Sequence, residues 1–309
     1  MRWCTYASSD GTDRLGLVEG TRVLGLEAGV RLVDLLGDDG DRLRTTAASA
    51  RTRPAEELEM DGLMLRAPIA VPPSVRDFLS FEGHIRNTRG DPVDPGWYEQ
   101  PVFYFSNPAG VIGPHDDVAI APGSSEWDYE LEVAAVVGRP GSDLTADEAE
   151  SHIAGYMVMC DFSARDLQRR EMAQGLGPAK GKDSATSFGP VMVTPDELEP
   201  RRSRRAFDLA MDVSVNGRHA GGGSLDDLYW SFGDMVAYAS RGTTVRPGDI
   251  IGSGTVGTGC ILEHRRLGRD VGWLSPGDVV ELEVELIGTL RHRVRAGRPA
   301  VALRPPRTS

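Results

Sequence analysis

The sequence predicts a mainly β protein with some helix, an α+β chain. Three observations predict it. Short apolar runs recur with period-two alternation, each closed by Gly, Asp, Ser or Pro. Few segments carry the three-to-four spacing of a helix. The chain also holds 37 glycines, which suit many tight turns. Residues 1–66 read as a small β-rich N-terminal domain, because RWCTYA, RLGLVEG and TRVLGLEAG form a broken meander. VRLVDLLGDDGDRL adds a short helix, and RTRPAEELEMDG reads as a polar connector. APIAVPPS then opens the main body, residues 67–309.

Within that body DYELEVAAVVG, residues 128–138, reads as one strand. Tyr129, Leu131, Val133, Ala135 and Val137 share a face; Asp128, Glu130, Glu132, Ala134 and Val136 share the other. LTADEAESHIAG starts a helix at Thr145, with Glu148 completing a capping box. YMVMCDF is a buried strand running into a polar helix, SARDLQRREM. SLDDLYWSFGDMVAYASRG is predicted helical, with Ser224 as candidate N-cap and Leu228, Phe232, Met235, Val236 and Ala239 on one stripe. VRPGDIIG and LSPGDVVELEVEL each place a Pro-Gly-Asp turn before a strand.

Composition narrows the functional classes. A 309-residue chain with 40% hydrophobic and 26% charged residues is ordinary for a globular protein with a sizeable core. A net charge of −12 argues against nucleic acid and against anionic membrane surfaces as partners. Cys4, Cys160 and Cys260 are odd in number and widely spaced, so neither a disulfide framework nor a thiolate metal site is expected. No apolar run approaches the ~18 residues of a membrane span, and no signal-peptide core opens the chain. A cytoplasmic protein is expected.

The stacked acids of residues 128–132 need a reason. ELEVEL, residues 281–286, shows the ordinary one: Glu281, Glu283 and Glu285 face water while Leu282, Val284 and Leu286 face the core. Around Glu130 and Glu132 the setting differs. Asp161 ends the apolar run MVMC and Asp77 lies within VRDFLSF, where unpaired charge is costly to bury. Clustered carboxylates in low dielectric repel one another unless a cation compensates them. Several hard oxygen ligands suit Mg²⁺, Mn²⁺ or Ca²⁺. The alternative is that Asp77 and Asp161 pair with arginines such as Arg86 or Arg165.

Five segments in order then resemble the fumarylacetoacetate hydrolase superfamily: RDFLSFEGHIRN, WDYELEVAAVVG, GYMVMCDFSARDLQRRE, GLGPAKGKDSATSFGPVMVTPDEL and DIIGSGTVGTGCILE. The resemblance runs from roughly residue 70 to 290. It implies a mixed β-sandwich or roll catalytic domain behind the small N-terminal one. Carried over by residue, it implies Asp77, Glu130, Glu132 and Asp161 as ligands of Mg²⁺ or Ca²⁺, with Mn²⁺ accepted. Asp128 matches no family ligand. His84 resembles the catalytic histidine, Glu263 the glutamate that orients it, and Lys182 the catalytic lysine, set apart from Lys180 by the spacing G-K-x-x-x-T-x-x-x-P. Arg165 and Gln168 resemble residues that hold substrate oxygens, as does Thr255 in GSGTVGTG; Tyr104 resembles a pocket-lining position. Read without the resemblance, His84 is a surface histidine, Glu263 an exposed acid beside Arg265 or Arg266, and R-x-x-Q an accident of a surface helix. The family's arginine after the histidine has two candidates here, Arg86 and Arg89.

The resemblance implies metal-assisted chemistry on 2-oxo or 1,3-diketo acids, and a homodimer. Hydrolysis of a C–C bond in an acylpyruvate is the first expectation. A lyase or isomerase on a 2-oxo acid, such as a decarboxylase, dehydratase or dienoate isomerase, is the alternative. A non-catalytic binding protein with a structural metal is a third expectation from a different class.

Overall fold

The computed structural model describes residues 1–304. Its frame is one large mixed sheet. In spatial order the path runs Glu56–Glu59, Arg22–Gly25, Asp13–Glu19, Arg2–Ala7, Thr186–Val193, Ile153–Asp161, Leu131–Val137, Ile250–Gly252, Val75–Phe78 and Phe103–Ser106. Neighbours on this path are antiparallel, save the parallel pair Ile250–Gly252 and Val75–Phe78. The N-terminal strands continue the same sheet, with Arg2 opposite Val193 and Trp3 opposite Met192. A second sheet of five strands runs Arg218–Ser224, Ala210–Val215, Val279–Val284, Gly288–Arg295 and Val118–Ala119. This mixed, sheet-rich α+β architecture is the fold class expected from the sequence.

The central strand Leu131–Val137 is buried along its whole length, because both faces of the sheet are covered. On one face Ala134, Val136, Met157 and Met159 pack with Trp3, Leu15 and Leu17, and with Leu43 and Ala47 of the helix Asp41–Thr52. On the other, Val133, Ala135 and Val158 pack with Val213, Leu282 and Leu290 of the second sheet, and with Phe232, Met235 and Val236 of the helix Phe232–Ser240. Each such fully buried aliphatic or aromatic side chain contributes roughly 1.5–3 kcal/mol.

Four local expectations are corrected. The strand expected over 128–138 is interrupted. Trp127–Asp128 pairs with Ser163–Ala164, and the main ladder resumes at Leu131. Asp128 turns its carboxylate onto the N–H groups of Tyr129, Ile261 and Leu262, which draws it out of the ladder. The polar connector contains a strand, Glu56–Glu59, at the edge of the sheet, where exposed acids are tolerated and discourage further pairing. The helix expected from Ser224 begins at Ser231, whose hydroxyl accepts from Asp234 N–H while Asp234 accepts from Ser231 N–H. Ser224 caps only a 3₁₀ turn, Leu225–Asp227, and Leu228 is extended. Leu286 lies past the end of strand Val279–Val284 and is 40% exposed with φ 62°, so it leaves the core.

The second sheet carries a titratable group in the apolar interior. His292 is fully buried, donates from Nδ1 to the Asp116 carbonyl at 2.8 Å, and meets the Phe162 ring edge-on at 5.3 Å. Burial lowers its pKa to about 4. The unfolded chain binds this proton near pH 6.5 and the folded one does not, so this contribution to stability falls as pH drops from about 6.5 to 4. The full window corresponds to about 3 kcal/mol. Urea unfolding at pH 7 and pH 5 is expected to show a smaller acid loss for His292→Gln than for the parent. Equal losses would contradict this role.

No helix among the described residues is long and apolar enough to cross a membrane.

Candidate active site

The four acids expected to hold a cation meet at one end of the sheet. Asp77 sits on strand Val75–Phe78, Glu132 on Leu131–Val137, and Asp161 ends Ile153–Asp161; Glu130 precedes the central strand. Period two puts Asp77, Glu132 and Asp161 on the face that carries Val75, Ala134, Val136, Met157 and Met159. The strand between Asp77 and Glu132 contributes Gly252, opposite Asp77 and Ala134. A Cβ there would fall 2.6 Å from Asp77 Oδ1 and 2.9 Å from Met159 Sδ, so only glycine lets the acids converge. Gly254, at φ +77°, donates its N–H to Glu132 Oε2 at 3.1 Å.

One oxygen from each of the four carboxylates lies within 4.8 Å of the others, and all four residues are buried. Asp77 Oδ1, Glu132 Oε1 and Asp161 Oδ1 are buried without any hydrogen-bond partner. Orphaned, converging, hard oxygens of this kind fit a divalent cation such as Mg²⁺, Ca²⁺ or Mn²⁺. The rival pairing with arginine does not occur: Arg86 pairs with Glu82 and Asp91, and Arg165 with Asp128 and Glu130.

The cluster is electrostatically crowded. Burial and the charge of Asp161 raise Asp77 to about 8. Burial, with Asp77 and Glu130 nearby, pushes Glu132 well above the carboxylate range. Burial opposes the charge on Glu130, but Arg165 and Lys182 outweigh it and hold Glu130 low. Lys182 Nζ donates to Asp161 Oδ2 at 2.6 Å and also to Glu130. Burial works against the ammonium, yet Asp161 and Glu130 hold its pKa above the ordinary lysine range.

A cation held by these carboxylates would have to replace the protons that burial keeps on Asp77 and Glu132. Mg²⁺ affinity is therefore expected to rise with pH below about 8, by roughly tenfold per pH unit for each proton released. Without the ion, the folded state binds more protons than the unfolded chain between about pH 4 and 8, so this contribution to stability falls as pH rises through that window. Calorimetric titration of Mg²⁺ at pH 6.5, 7.5 and 8.5 checks this. Equal affinities, with no proton release, would contradict it.

Beside the acids stands a buried histidine–glutamate pair. His84 lies on the helix Glu82–Arg89 and Glu263 on the helix Ile261–Arg266. His84 Nδ1 donates to Glu263 Oε1 at 2.7 Å, while the other carboxylate oxygen accepts from Asn87 Nδ2 and Thr258 N–H, each at 2.6 Å. The carboxylate thus fixes the tautomer and leaves Nε2 for a ligand. The surface reading of His84 and the arginine pairing of Glu263 are both replaced: His84 is 6% exposed and Glu263 fully buried. His84, Cys260 and Glu263 also have metal-ligand spacing. Burial, however, pushes the Cys260 thiol far above its ordinary pKa, which opposes thiolate ligation.

A cavity of about 450 Å³ joins these groups, with Asp77, His84, Glu130, Glu132, Lys182 and Thr255 in its lining. The profile of the fumarylacetoacetate (FAA) hydrolase C-terminal family matches residues 74–295, a span that contains every one of these side chains. The chain belongs to the fumarylacetoacetate hydrolase superfamily. Among curated relatives of this superfamily member is the human mitochondrial oxaloacetate tautomerase FAHD2A, 30% identical over 197 residues, covering 63% of this chain and 59% of that protein. Another is the 2,4-didehydro-3-deoxy-L-rhamnonate hydrolase of Sphingomonas sp. (strain SKA58), 31% identical over 201 residues, covering 64% and 66%. The chain thus spans under two thirds of either relative. Among solved structures it resembles 5-carboxymethyl-2-hydroxymuconate delta-isomerase from Mycobacterium smegmatis, with TM-score 0.71, 27% identity and coverage of 96% and 100%. It also resembles fumarylacetoacetate hydrolase from Exiguobacterium antarcticum, with TM-score 0.73, 27% identity and coverage of 96% and 99%.

The remaining expected residues of this superfamily member fall as follows. Arg165 and Gln168 share a face of the helix Arg165–Met172, joined by a 3.1 Å bond from Nη1 to Oε1, and both line the cavity. Tyr104, opposite Asp77 in the sheet, donates its hydroxyl to Asp161. Burial and the charges of Asp161 and Asp77 keep that phenol protonated. Lys180 is exposed and pairs with Asp183, so it stands apart from Lys182. Of the two arginines after His84, Arg89 lines the cavity, whereas Arg86 is not among the residues lining it.

Sequence reasoning missed three participants. Asn87 holds Glu263. Asp128 accepts from Arg165 Nε at 2.8 Å and caps the helix that bears Glu263, so it aims two functional side chains without touching the cavity. The sequence places it on the strand face of Glu130 and Glu132 but gives it no ligand role. Arg266 lines the cavity, whereas the sequence offers it only as a partner for Glu263.

Proposed function

We propose that this protein is a metal-dependent hydrolase that cleaves a C–C bond in an acylpyruvate or related 1,3-diketo acid. The observation that supports the reading is that His84, held by the buried Glu263 behind it, lines the same cavity as Asp77, Glu130 and Glu132, three of the four converging carboxylates. Asp77, Glu130, Glu132 and Asp161 would hold a divalent cation, which would supply Lewis-acid polarisation of a keto group and offset enolate charge.

The chain's own groups do the rest. His84 Nε2 takes a proton from water as that water attacks the distal carbonyl carbon. Glu263 stabilises the imidazolium that forms. Lys182, kept protonated by its two carboxylates, and the Arg165–Gln168 pair donate hydrogen bonds to the tetrahedral oxyanion. Thr255 in the cavity lining offers its backbone N–H and hydroxyl to the substrate carboxylate. After C–C cleavage the proton on His84 passes to the departing enolate carbon, giving a carboxylate and a methyl ketone acid.

A second reading is keto–enol conversion of a 2-oxo acid, for which the same histidine only shuttles a proton between oxygen and carbon. The relatives named oxaloacetate tautomerase, from human and from Bacillus subtilis (32% identical), favour it. Acetylpyruvate and oxaloacetate, assayed with Mg²⁺, Mn²⁺ or EDTA, separate the two. Metal-dependent release of pyruvate and acetate from acetylpyruvate is the expected result. Interconversion of oxaloacetate tautomers with acetylpyruvate untouched would replace hydrolysis by tautomerisation. No metal-dependent turnover across a panel of 2-oxo acids would favour a small-molecule binding protein.

A further inference from the structure

Two neighbouring side chains of one short helix grip a single residue. In the helix Ile261–Arg266, Glu263 Oε2 accepts the Thr258 N–H at 2.6 Å, and His264 Nε2 donates to the Thr258 carbonyl at 3.1 Å. Thr258 has φ 65°, a left-handed conformation that a β-branched residue adopts only when its surroundings hold it there. Its hydroxyl is held as well. It accepts from the Gly222 N–H at 3.1 Å and donates to the Gly222 carbonyl at 2.9 Å. Gly222 belongs to strand Arg218–Ser224 of the second sheet. The adjacent Gly221 leaves room for the contact: a Cβ there would fall 2.1 Å from the Thr258 carbonyl oxygen and 2.8 Å from His264 Nε2.

The ring of His264 has a defined tautomer. Arg269 Nη1 donates to its Nδ1 at 2.7 Å. A guanidinium has no acceptor, so Nδ1 accepts and the proton sits on Nε2, facing Thr258. His84 is fixed in the opposite sense, with its proton on Nδ1, because Glu263 is the acceptor there. Arg269 is exposed, whereas His264 and Glu263 are buried. One chain of hydrogen bonds thus runs from the surface through Arg269, His264, Thr258 and Glu263 to His84 in the cavity wall. An apolar side chain at position 264 would fill the same space without needing partners.

We infer that His264, its tautomer set by Arg269, is a positioning residue for the His84–Glu263 pair: it holds Thr258 so that the Thr258 N–H keeps Glu263 in line with His84 Nδ1. The inference rests on the reading of His84 as the base. Without this hold Thr258 relaxes from its left-handed conformation, and Glu263 Oε2 keeps only Asn87 as a donor. The carboxylate is then less firmly placed. The proton stays on His84 Nδ1 for a smaller share of the time, and so does the lone pair that Nε2 offers to water.

Nuclear magnetic resonance of ¹⁵N-histidine-labelled protein tests this, beside kinetics on acetylpyruvate and oxaloacetate with Mg²⁺. The parent is expected to show His84 as the Nδ1–H tautomer, with a slowly exchanging proton, and His264 as the Nε2–H tautomer. Signals lost in His84→Gln and His264→Gln assign them. Arg269→Ala is expected to speed exchange of the His84 Nδ1 proton by roughly tenfold, the worth of about one hydrogen bond. In the same variant kcat falls severalfold with little change in KM. Arg269→Lys and His264→Gln are expected to keep most of both properties. An ammonium, like a guanidinium, only donates, and a glutamine amide can accept from Arg269 while donating to Thr258. His264→Leu is expected to show the full loss. Arg269 is at the surface, so Arg269→Ala decides the matter even where the buried His264→Leu fails to fold. Parent-like exchange of the His84 proton in Arg269→Ala, or a parent His84 with its proton on Nε2, overturns the assignment of His264. Turnover of neither acid by the parent overturns the reading of His84 as a base, and the exchange rates then decide the positioning role by themselves.

Discussion

Replacing His84 by alanine is expected to lower kcat on an acylpyruvate by about 10²–10⁴-fold, the range over which one positioned general base acts. The loss belongs to the chemical step, because His84 is not one of the four carboxylates and its Nδ1 is committed to Glu263. Mg²⁺ affinity is therefore expected to change little, and calorimetry beside steady-state kinetics checks both halves. Glu263→Gln keeps the volume but removes the carboxylate that faces Nδ1, Asn87 and the Thr258 N–H. The imidazolium then loses its counter-charge, so kcat falls with a smaller effect on KM. Activity retained within a few-fold in His84→Ala would remove the base from the reaction.

Replacing Lys182 by methionine is expected to destabilise the metal-free protein by about 3–5 kcal/mol at pH 8, the cost of leaving buried carboxylates without their cation. Glu130 keeps Arg165, so the loss falls mainly on Asp161, whose remaining partner is the Tyr104 hydroxyl. Asp161 can take up a proton instead; burial already raises its pKa, although Lys182 opposes that rise. The destabilisation is accordingly smaller at pH 6 than at pH 8. Urea unfolding in EDTA at the two pH values measures it. A loss under about 1 kcal/mol at pH 8 would show that Lys182 does not neutralise the cluster.

The sequence displayed the acids more clearly than their arrangement. Glu130 and Glu132 stand out by alternation, yet Glu281, Glu283 and Glu285 alternate in the same way. Those three lie at the protein surface, bonded to Arg291, Ser214 or Arg201 where they are paired. What separates the two sets is the cover on the sheet, supplied by Trp3, Leu15 and Leu17 from more than a hundred residues away. Asp77 and Asp161 were legible as charges inside apolar runs. Asp128 was not, because its role depends on the N–H groups of Ile261 and Leu262, which period-two reading does not reach. Asn87 looked like any loop amide until Glu263 arrived from another helix. Local helix starts failed for a different reason. Ser224 and Ser231 each precede a suitable acid by three residues, and an extended Leu228 decides between them. Strand Glu56–Glu59 escaped notice because its exposed face is acidic and only Leu58 marks the buried one.

The most direct test of the cation site is an anomalous difference map from crystals grown with Mn²⁺. One strong peak is expected at the end of the large sheet, within about 2.1–2.5 Å of oxygens from Asp77, Glu130, Glu132 and Asp161. A peak elsewhere, or none at saturating Mn²⁺ with those four carboxylates still converging, would contradict it.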